Sequence, residues 1–178
     1  DLGLGTVAAL DGELVVVDGE AFVVDGDAVV HPVPDGTTTP FAVVCRFAPL
    51  AEEQVVGPVG LADLHGRIDD LAPSGLDVLA VRVDGEFTDL RLRSVARQRQ
   101  PYPPLAEVTA HQREWTVPAA AGSLVGFRFP DAAAGLEVPG FHLHFLAADR
   151  STGGHVLGLT LERGRLLVDG ADEAHVEL

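Results

Sequence analysis

Residues 141–162 read FHLHFLAADRSTGGHVLGLTLE, which is two apolar runs separated by the turn-forming stretch AADRSTGG (147–154). Successive residues of a β-strand face opposite sides of a sheet, so His142 and His144 share one face in this pattern. His155 opens the second run, and pairing of the two runs as a hairpin returns it to the same face. The pattern therefore predicts that three of the seven histidines converge on one point.

Three converging imidazoles point to a metal site. Catalytic zinc takes three protein ligands at roughly 2.1 Å and leaves a position open for water or substrate. Imidazole also suits iron and nickel, so the pattern alone does not identify the metal. A His-x-His pair in a strand is often purely structural, and it is the third histidine, directly after Gly153 and Gly154, that favours metal binding here.

The rest of the chain repeats short β-rich runs and tight turns. Helical signals are few, and the candidates are residues 60–70 and residues 104–114. Residues 98–105 contain three of the twelve prolines and are typical of a rigid connector. Glycine tolerates a positive φ, so Asp-Gly dipeptides favour hairpin turns; examples are those at 11–12, 18–19, 25–26, 84–85 and 169–170.

Composition excludes several classes of function. The chain has 178 residues, 47% of them hydrophobic, which suits one compact domain or two small ones sharing a core. A formal net charge of -15 argues against nucleic acid and anionic membrane surfaces as partners. The chain contains no run of about 18 apolar residues, so the sequence predicts no membrane-spanning helix. The single cysteine, Cys45, allows no internal disulfide and is expected to be a buried small hydrophobe.

Residues 138–164, VPGFHLHFLAADRSTGGHVLGLTLERG, resemble the metal-binding segment of the α-acetolactate decarboxylase family. The resemblance covers nearly the whole chain, because further matching segments follow in order. They are GLGTVAALDGELVVVDGEAF (3–22), TTTPFAVV (37–44), VRVDGEFTDLRLRSV (81–95), PYPPLAEV (101–108) and GSLVGFRFP (122–130).

The resemblance implies a lyase that decarboxylates 2-acetolactate to acetoin and carbon dioxide, on the route to butanediol. It implies a zinc ion held by the three histidines, with Thr6, Glu13 and Arg93 lining the same site. Zinc chelated by the ketone and hydroxyl oxygens of the substrate can stabilise an enediolate. Arg93 can orient the carboxylate, Glu13 can deliver a proton, and Thr6 can hydrogen-bond the substrate or Glu13. No organic cofactor is expected, since the chain has no lysine for a pyridoxal Schiff base.

The expected fold is α+β and predominantly β, with two sheet-based subdomains. Residues 1–100 are expected to form a mixed N-terminal sheet. Residues 101–178 are expected to form an antiparallel C-terminal sheet that carries the metal ligands, with the metal in the cleft between the two. The resemblance also implies a homodimer with a small-molecule substrate. The expected location is the cytoplasm, and secretion is the alternative if a signal peptide precedes Asp1 in the native precursor.

One departure from the family concerns a further catalytic glutamate, which the family carries in a tail beyond the last strand. This sequence stops at HVEL (175–178), and neither Glu173 nor Glu177 is assigned that role. Asp1-Leu2-Gly3 reads like the middle of a domain, so we expect that native sequence precedes it.

Three alternatives stay open from the residues alone. A related three-histidine enzyme would act on another small oxo- or hydroxy-acid, such as acetohydroxybutyrate. A cupin-like binding barrel would add a glutamate soon after the paired histidines, but residues 145–150 offer only Asp149. A structural β-protein would keep the histidines in its core, without a metal.

Overall fold

The computed structural model describes residues 1–103, 105–134 and 138–171, and two five-stranded sheets make up most of them. We call the first of these sheet A, and its strands are ordered β4-β3-β2-β1-β5. They are β1 (Leu2–Thr6), β2 (Glu13–Val17), β3 (Glu20–Val24), β4 (Val30–Pro32) and β5 (Phe41–Cys45).

The second sheet, sheet B, contains the longer strands, in the order β6-β10-β7-β8-β9. Because β10 pairs with β9 as well as with β7, the strands β7 to β10 form a ring of hydrogen-bonded neighbours. The strands of sheet B are β6 (Ala51–Gly60), β7 (Val78–Ser94), β8 (Arg113–Phe129), β9 (Gly140–Ala147) and β10 (Gly153–Ala171).

Two helices and two 3₁₀ turns complete the described residues. Helix α1 spans Leu61–Leu71 and helix α2 spans Leu105–Ala110. The 3₁₀ turns are Ala8–Leu10 and Asp131–Ala133. No helix among these is long and apolar enough to cross a membrane.

The predominantly β fold with two sheets is confirmed, but the expected mixed character of the N-terminal sheet is wrong. All pairings in sheet A are antiparallel. The physical reason is that β2, β3 and β4 follow one another through short turns, and a short turn can only join antiparallel strands. The division into subdomains at residue 100 stays a prediction. The two sheets themselves divide earlier, since β6 and β7 both pair within sheet B.

Helix α1 confirms the helix predicted at residues 60–70, whereas the helix predicted at residues 104–114 is too long at its C-terminal end. Helix α2 ends at Ala110, and Arg113 already begins β8 opposite Ser94 of β7. Long-range pairing along the full length of β7 therefore overrides the local helical pattern. Residue 104 lies outside the described residues.

Two hydrophobic clusters form the core, and the second of them joins the sheets. The first lies within sheet B, under α1. The second packs Leu4 and Val15 of sheet A against Val125 and Leu146 of sheet B, all of them fully buried. Cys45 packs against this second cluster but is half-buried, and burial raises the pKa of its thiol to about 11. The inter-sheet cluster places β2 over the strands that carry the histidines.

A substitution at Gly126 tests the close approach of β8 and β9, and one at Gly66 serves as its control. A Cβ on Gly126 of β8 would overlap the backbone oxygen of His142, whereas a Cβ on Gly66 of α1 would meet no atom within 4 Å. Gly126→Ala should therefore lower the free energy of unfolding by about 1–3 kcal/mol. The matched Gly66→Ala should raise it by about 0.5–1 kcal/mol, because alanine favours a helix. Chemical denaturation measures both, and an undiminished stability of Gly126→Ala would contradict the packing of β8 on β9.

Candidate metal centre

The three predicted histidines meet at one point. His142 and His144 are two residues apart on β9, and His155 on β10 is the cross-strand partner of His144. One ring nitrogen from each lies within 4.8 Å of the others. His144 is fully buried and the other two are partly buried. Strand alternation and the hairpin therefore produce the convergence that the sequence predicts.

A hydrogen bond to the opposite sheet fixes the tautomer of His144. Its Nδ1 lies 2.7 Å from the carbonyl oxygen of Leu14 on β2. A carbonyl only accepts, so Nδ1 carries the proton and Nε2 keeps its lone pair. Nε2 of His144 faces Nε2 of His142 at 3.2 Å. Metal-binding histidines are commonly oriented by such a second hydrogen bond.

The cluster fits a divalent cation on chemical grounds. Among the described residues, Nδ1 of His155 is buried and has no hydrogen-bond partner. A buried polar atom without a partner is costly unless a ligand satisfies it. Together with the lone pair of His144, this unsatisfied nitrogen makes His142, His144 and His155 a donor set that can hold a metal ion.

Glu13 and Arg93 lie beside the histidines although they are far apart in the sequence. Glu13 begins β2 and is buried, and one of its carboxylate oxygens accepts a hydrogen bond of 2.9 Å from Nη1 of Arg93. The other oxygen is 3.3 Å from Nε2 of His144. Arg93, near the end of β7, is the cross-strand partner of His155. Glu13 thus reaches the three-histidine cluster from sheet A, and Arg93 reaches it from sheet B.

Thr6 occupies a different position from the other predicted residues. Its hydroxyl donates to the carbonyl oxygen of Gly12 at 2.7 Å, so it contacts the backbone next to Glu13. The structure shows no hydrogen bond between the side chains of Thr6 and Glu13 in the described part of the chain. Glu173 and Glu177 lie outside the described residues.

Sequence reasoning missed three participants near the centre. The Leu14 carbonyl orients His144, and a backbone group leaves no signal in the residue pattern. The ring of Phe41 lies parallel to that of His142, with centroids 6.5 Å apart. Ser94 is fully buried beside Arg93. Both side chains lie in segments that carry the family resemblance, and this was the one signal that could have singled them out.

Burial raises the pKa of the carboxyl group at this site and lowers the pKa of two of the histidines. It raises the pKa of the Glu13 carboxyl, against the opposing effects of Arg93 and then His142. Burial also holds the pKa of His144 well below its usual range, and neighbouring histidines add to the effect. Burial and then Arg93 lower the pKa of His155 to about 2. His144 and His155 are therefore neutral at physiological pH, which is the form that binds a cation.

The lowered pKa of His155 predicts a pH-dependent stability of the metal-free protein. Above pH 6.5 this histidine is neutral in both the folded and the unfolded state, so it contributes nothing. Below pH 6.5 the unfolded chain takes up a proton that the folded chain refuses. The free energy of unfolding should then fall by up to about 1.4 kcal/mol per pH unit for this residue.

Denaturation of chelator-treated protein between pH 7 and about pH 5 measures this slope. His155→Gln should reduce the slope, because glutamine does not titrate there. His111→Gln is the matched control, since His111 is exposed and is not part of the three-histidine cluster. Equal slopes for His155→Gln and the parent would contradict the buried environment of this imidazole.

Comparison with known proteins gives the centre a family context. The sequence profile of the family described as Alpha-acetolactate decarboxylase matches residues 1–178. A relative of that name from Methylococcus capsulatus is 39% identical over 178 residues, which are 100% of this chain and 68% of the relative. Another from Methanosarcina mazei is 39% identical over 169 residues, which are 95% of this chain and 59% of the relative.

The fold agrees with the sequence comparison. The crystal structure of alpha-acetolactate decarboxylase from Bacillus subtilis strain 168 superposes with a TM-score of 0.92 at 33% sequence identity. The match covers 96% of this chain and 73% of that one. The chain spans between 59% and 68% of the length of the two curated relatives above. Because the family profile matches the chain over all 178 residues, the chain belongs to the alpha-acetolactate decarboxylase family.

Proposed function

We propose that this protein decarboxylates 2-acetolactate to acetoin and carbon dioxide in a zinc-dependent reaction. The observation that carries the proposal is the meeting of three histidines with the Glu13–Arg93 pair at one point between the sheets. Family membership supports the choice of substrate, since the curated relatives bear the name of this enzyme. We also propose that it works as a homodimer in the cytoplasm, on the route to butanediol.

Zinc is the proposed metal, and His142, His144 and His155 are its proposed ligands. When bound, zinc supplies Lewis-acid stabilisation of the negative charge that develops on the ketone oxygen of the substrate. The Leu14 carbonyl holds the ring of His144 so that Nε2 keeps facing the centre. Both sheets therefore contribute to the geometry of the proposed ligand set.

Arg93 and Glu13 carry the proposed binding and proton-transfer roles. The side chain of Arg93 is 16% exposed, and its guanidinium presents a planar set of donors that suits the substrate carboxylate. Loss of carbon dioxide breaks one carbon–carbon bond and leaves its electron pair on the carbon next to the ketone. Glu13 then delivers a proton to that carbon, which completes acetoin. Its raised pKa favours the protonated form that a proton donor needs.

Thr6 has a proposed role through the backbone. By donating to the Gly12 carbonyl, its hydroxyl fixes the residue that immediately precedes Glu13. A threonine at this position can therefore support the substrate pocket by holding the start of β2. Direct hydrogen bonding of Thr6 to the substrate stays a prediction.

The reaction and its metal dependence can be tested together. Purified protein should form acetoin and carbon dioxide from 2-acetolactate, a chelator should abolish the activity, and added zinc should restore it. His142→Ala should lose bound zinc on dialysis, because two histidines hold zinc more weakly than three. Metal analysis and acetoin assays measure these outcomes.

The assay should include the natural gene product with any sequence that flanks these 178 residues. Activity of that form alone would show that a flanking segment is needed. Full activity of a verified metal-free preparation would refute the zinc mechanism. Full zinc stoichiometry in dialysed His142→Ala would refute the ligand assignment.

The proposed role of the planar Arg93 guanidinium can be tested by substitution, with a neighbouring arginine as the control. Arg93→Lys keeps the positive charge but loses the planar fork, so kcat/KM should fall at least about tenfold, or about 1.4 kcal/mol of transition-state stabilisation. Arg91→Lys is the matched control on the same strand, with a side chain that is 61% exposed. It should retain at least half of the parent value. An unimpaired Arg93→Lys enzyme would make Arg93 a scaffold residue.

A further inference from the structure

Ser94 makes a buried contact between the two sheets directly beside Arg93. Its side chain is fully buried at the end of β7, and its hydroxyl donates to the carbonyl oxygen of Val24 at 2.8 Å. Val24 ends β3 and is the cross-strand partner of Glu13. Consecutive residues of β7 thus hold neighbouring points of sheet A, Arg93 through the Glu13 side chain and Ser94 through the Val24 backbone.

Val24 is itself closely packed on two further sides. A Cβ on Gly12, the residue before Glu13, would overlap the Val24 carbonyl oxygen. A Cβ on Gly153 would lie 2.9 Å from Cγ2 of Val24, and Gly153 is two residues before His155. A shift of Val24 would therefore move the start of β2 and disturb the strand that carries His155.

We propose that Ser94 is a positioning residue for the Glu13–Arg93 pair, an inference that rests on the proposed decarboxylase function. Its hydroxyl holds the end of β3 against the end of β7, and this sets the separation between the Glu13 carboxylate and the Arg93 guanidinium. Ser94 acts through Val24 and does not touch the substrate.

The buried hydrogen bond from Ser94 to the Val24 carbonyl is directional, so it can fix where the end of β3 lies relative to β7. Removing the hydroxyl leaves the Val24 carbonyl buried without this donor, and sheet A can then shift to reach another partner. The Arg93–Glu13 hydrogen bond, at 2.9 Å, tolerates little displacement. Misplacement of a catalytic group by about 1 Å can cost about a hundredfold in rate.

Steady-state kinetics on 2-acetolactate test the proposal. Ser94→Ala should lower kcat at least about tenfold, or about 1.4 kcal/mol in the barrier. Ser94→Cys keeps a donor at the same position, but a weaker one on a larger atom, so it should show an intermediate loss, and it keeps the test available if the alanine variant does not fold. Ser123→Ala is the matched control, because Ser123 donates to Asp84 at 2.6 Å within sheet B. It should retain at least half of kcat.

A double-mutant cycle separates positioning from general destabilisation. In a Glu13→Gln background, the further change Ser94→Ala should lower kcat less than about twofold, because the group that Ser94 positions is already removed. An equal loss in both backgrounds would overturn the proposal. So would a Ser94→Ala or Ser94→Cys enzyme that keeps the full kcat.

Hydrogen exchange tests the positioning without any turnover. In Ser94→Ala, the amides of β2 and β3 should exchange faster than in the parent, and in Ser123→Ala they should not. Unchanged exchange in β2 and β3 would overturn the role of Ser94. A parent protein that does not convert 2-acetolactate would overturn the proposed function instead, and the exchange experiment would still decide whether Ser94 holds sheet A.

Discussion

The hydrogen bond from His144 to the Leu14 carbonyl joins the two sheets at the point where the histidines converge. Sheet B provides all three imidazoles, but sheet A decides which nitrogen of His144 faces the centre. The residue before Leu14 on the same strand, β2, is Glu13. The placement of β2 therefore fixes both the tautomer of His144 and the position of the Glu13 carboxylate. If sheet A were displaced, His144 would keep its place on β9 but would lose the hydrogen bond that orients its ring. The docking of the sheets is therefore the constraint on which the centre depends.

Hydrophobic burial supplies that docking. Leu4 and Val15 of sheet A pack against Val125 and Leu146 of sheet B, and this apolar contact is not directional. Directional contacts must then fix the register of one sheet on the other. The Leu14–His144 and Val24–Ser94 hydrogen bonds both cross the interface and both use backbone carbonyls of sheet A. A cation bound by the histidines would favour the docked arrangement, because only that arrangement holds His144 in its binding orientation.

The parts of the centre that were predictable from sequence are those set by local geometry. Strand alternation at His142 and His144, followed by a turn to His155, needs no knowledge of the remaining fold. Glu13 and Arg93 carry no such signal, because each is an ordinary strand residue until the two sheets dock, and only the family resemblance indicated them. Two expectations were wrong. Sheet A is antiparallel and not mixed, because tight turns join its consecutive strands. The second helix is shorter than expected, because β8 already pairs with β7 at Arg113. The Leu14 carbonyl could not be predicted, since every residue has one.

A single cause, removal of water between the sheets, prepares both kinds of functional group. Desolvation disfavours any charged form, so it lowers the pKa of His144 and His155 and raises the pKa of Glu13. The imidazoles become neutral donors for a cation, while the carboxyl group is biased towards holding a proton. Arg93 opposes the second effect, because its positive charge favours the carboxylate and lowers the pKa of Glu13. For the proton transfer proposed for Glu13, the guanidinium therefore limits how firmly the carboxyl group holds a proton, since a proton donor must also be able to release it. The position of Arg93 relative to Glu13 is consequently as important to this chemistry as its charge.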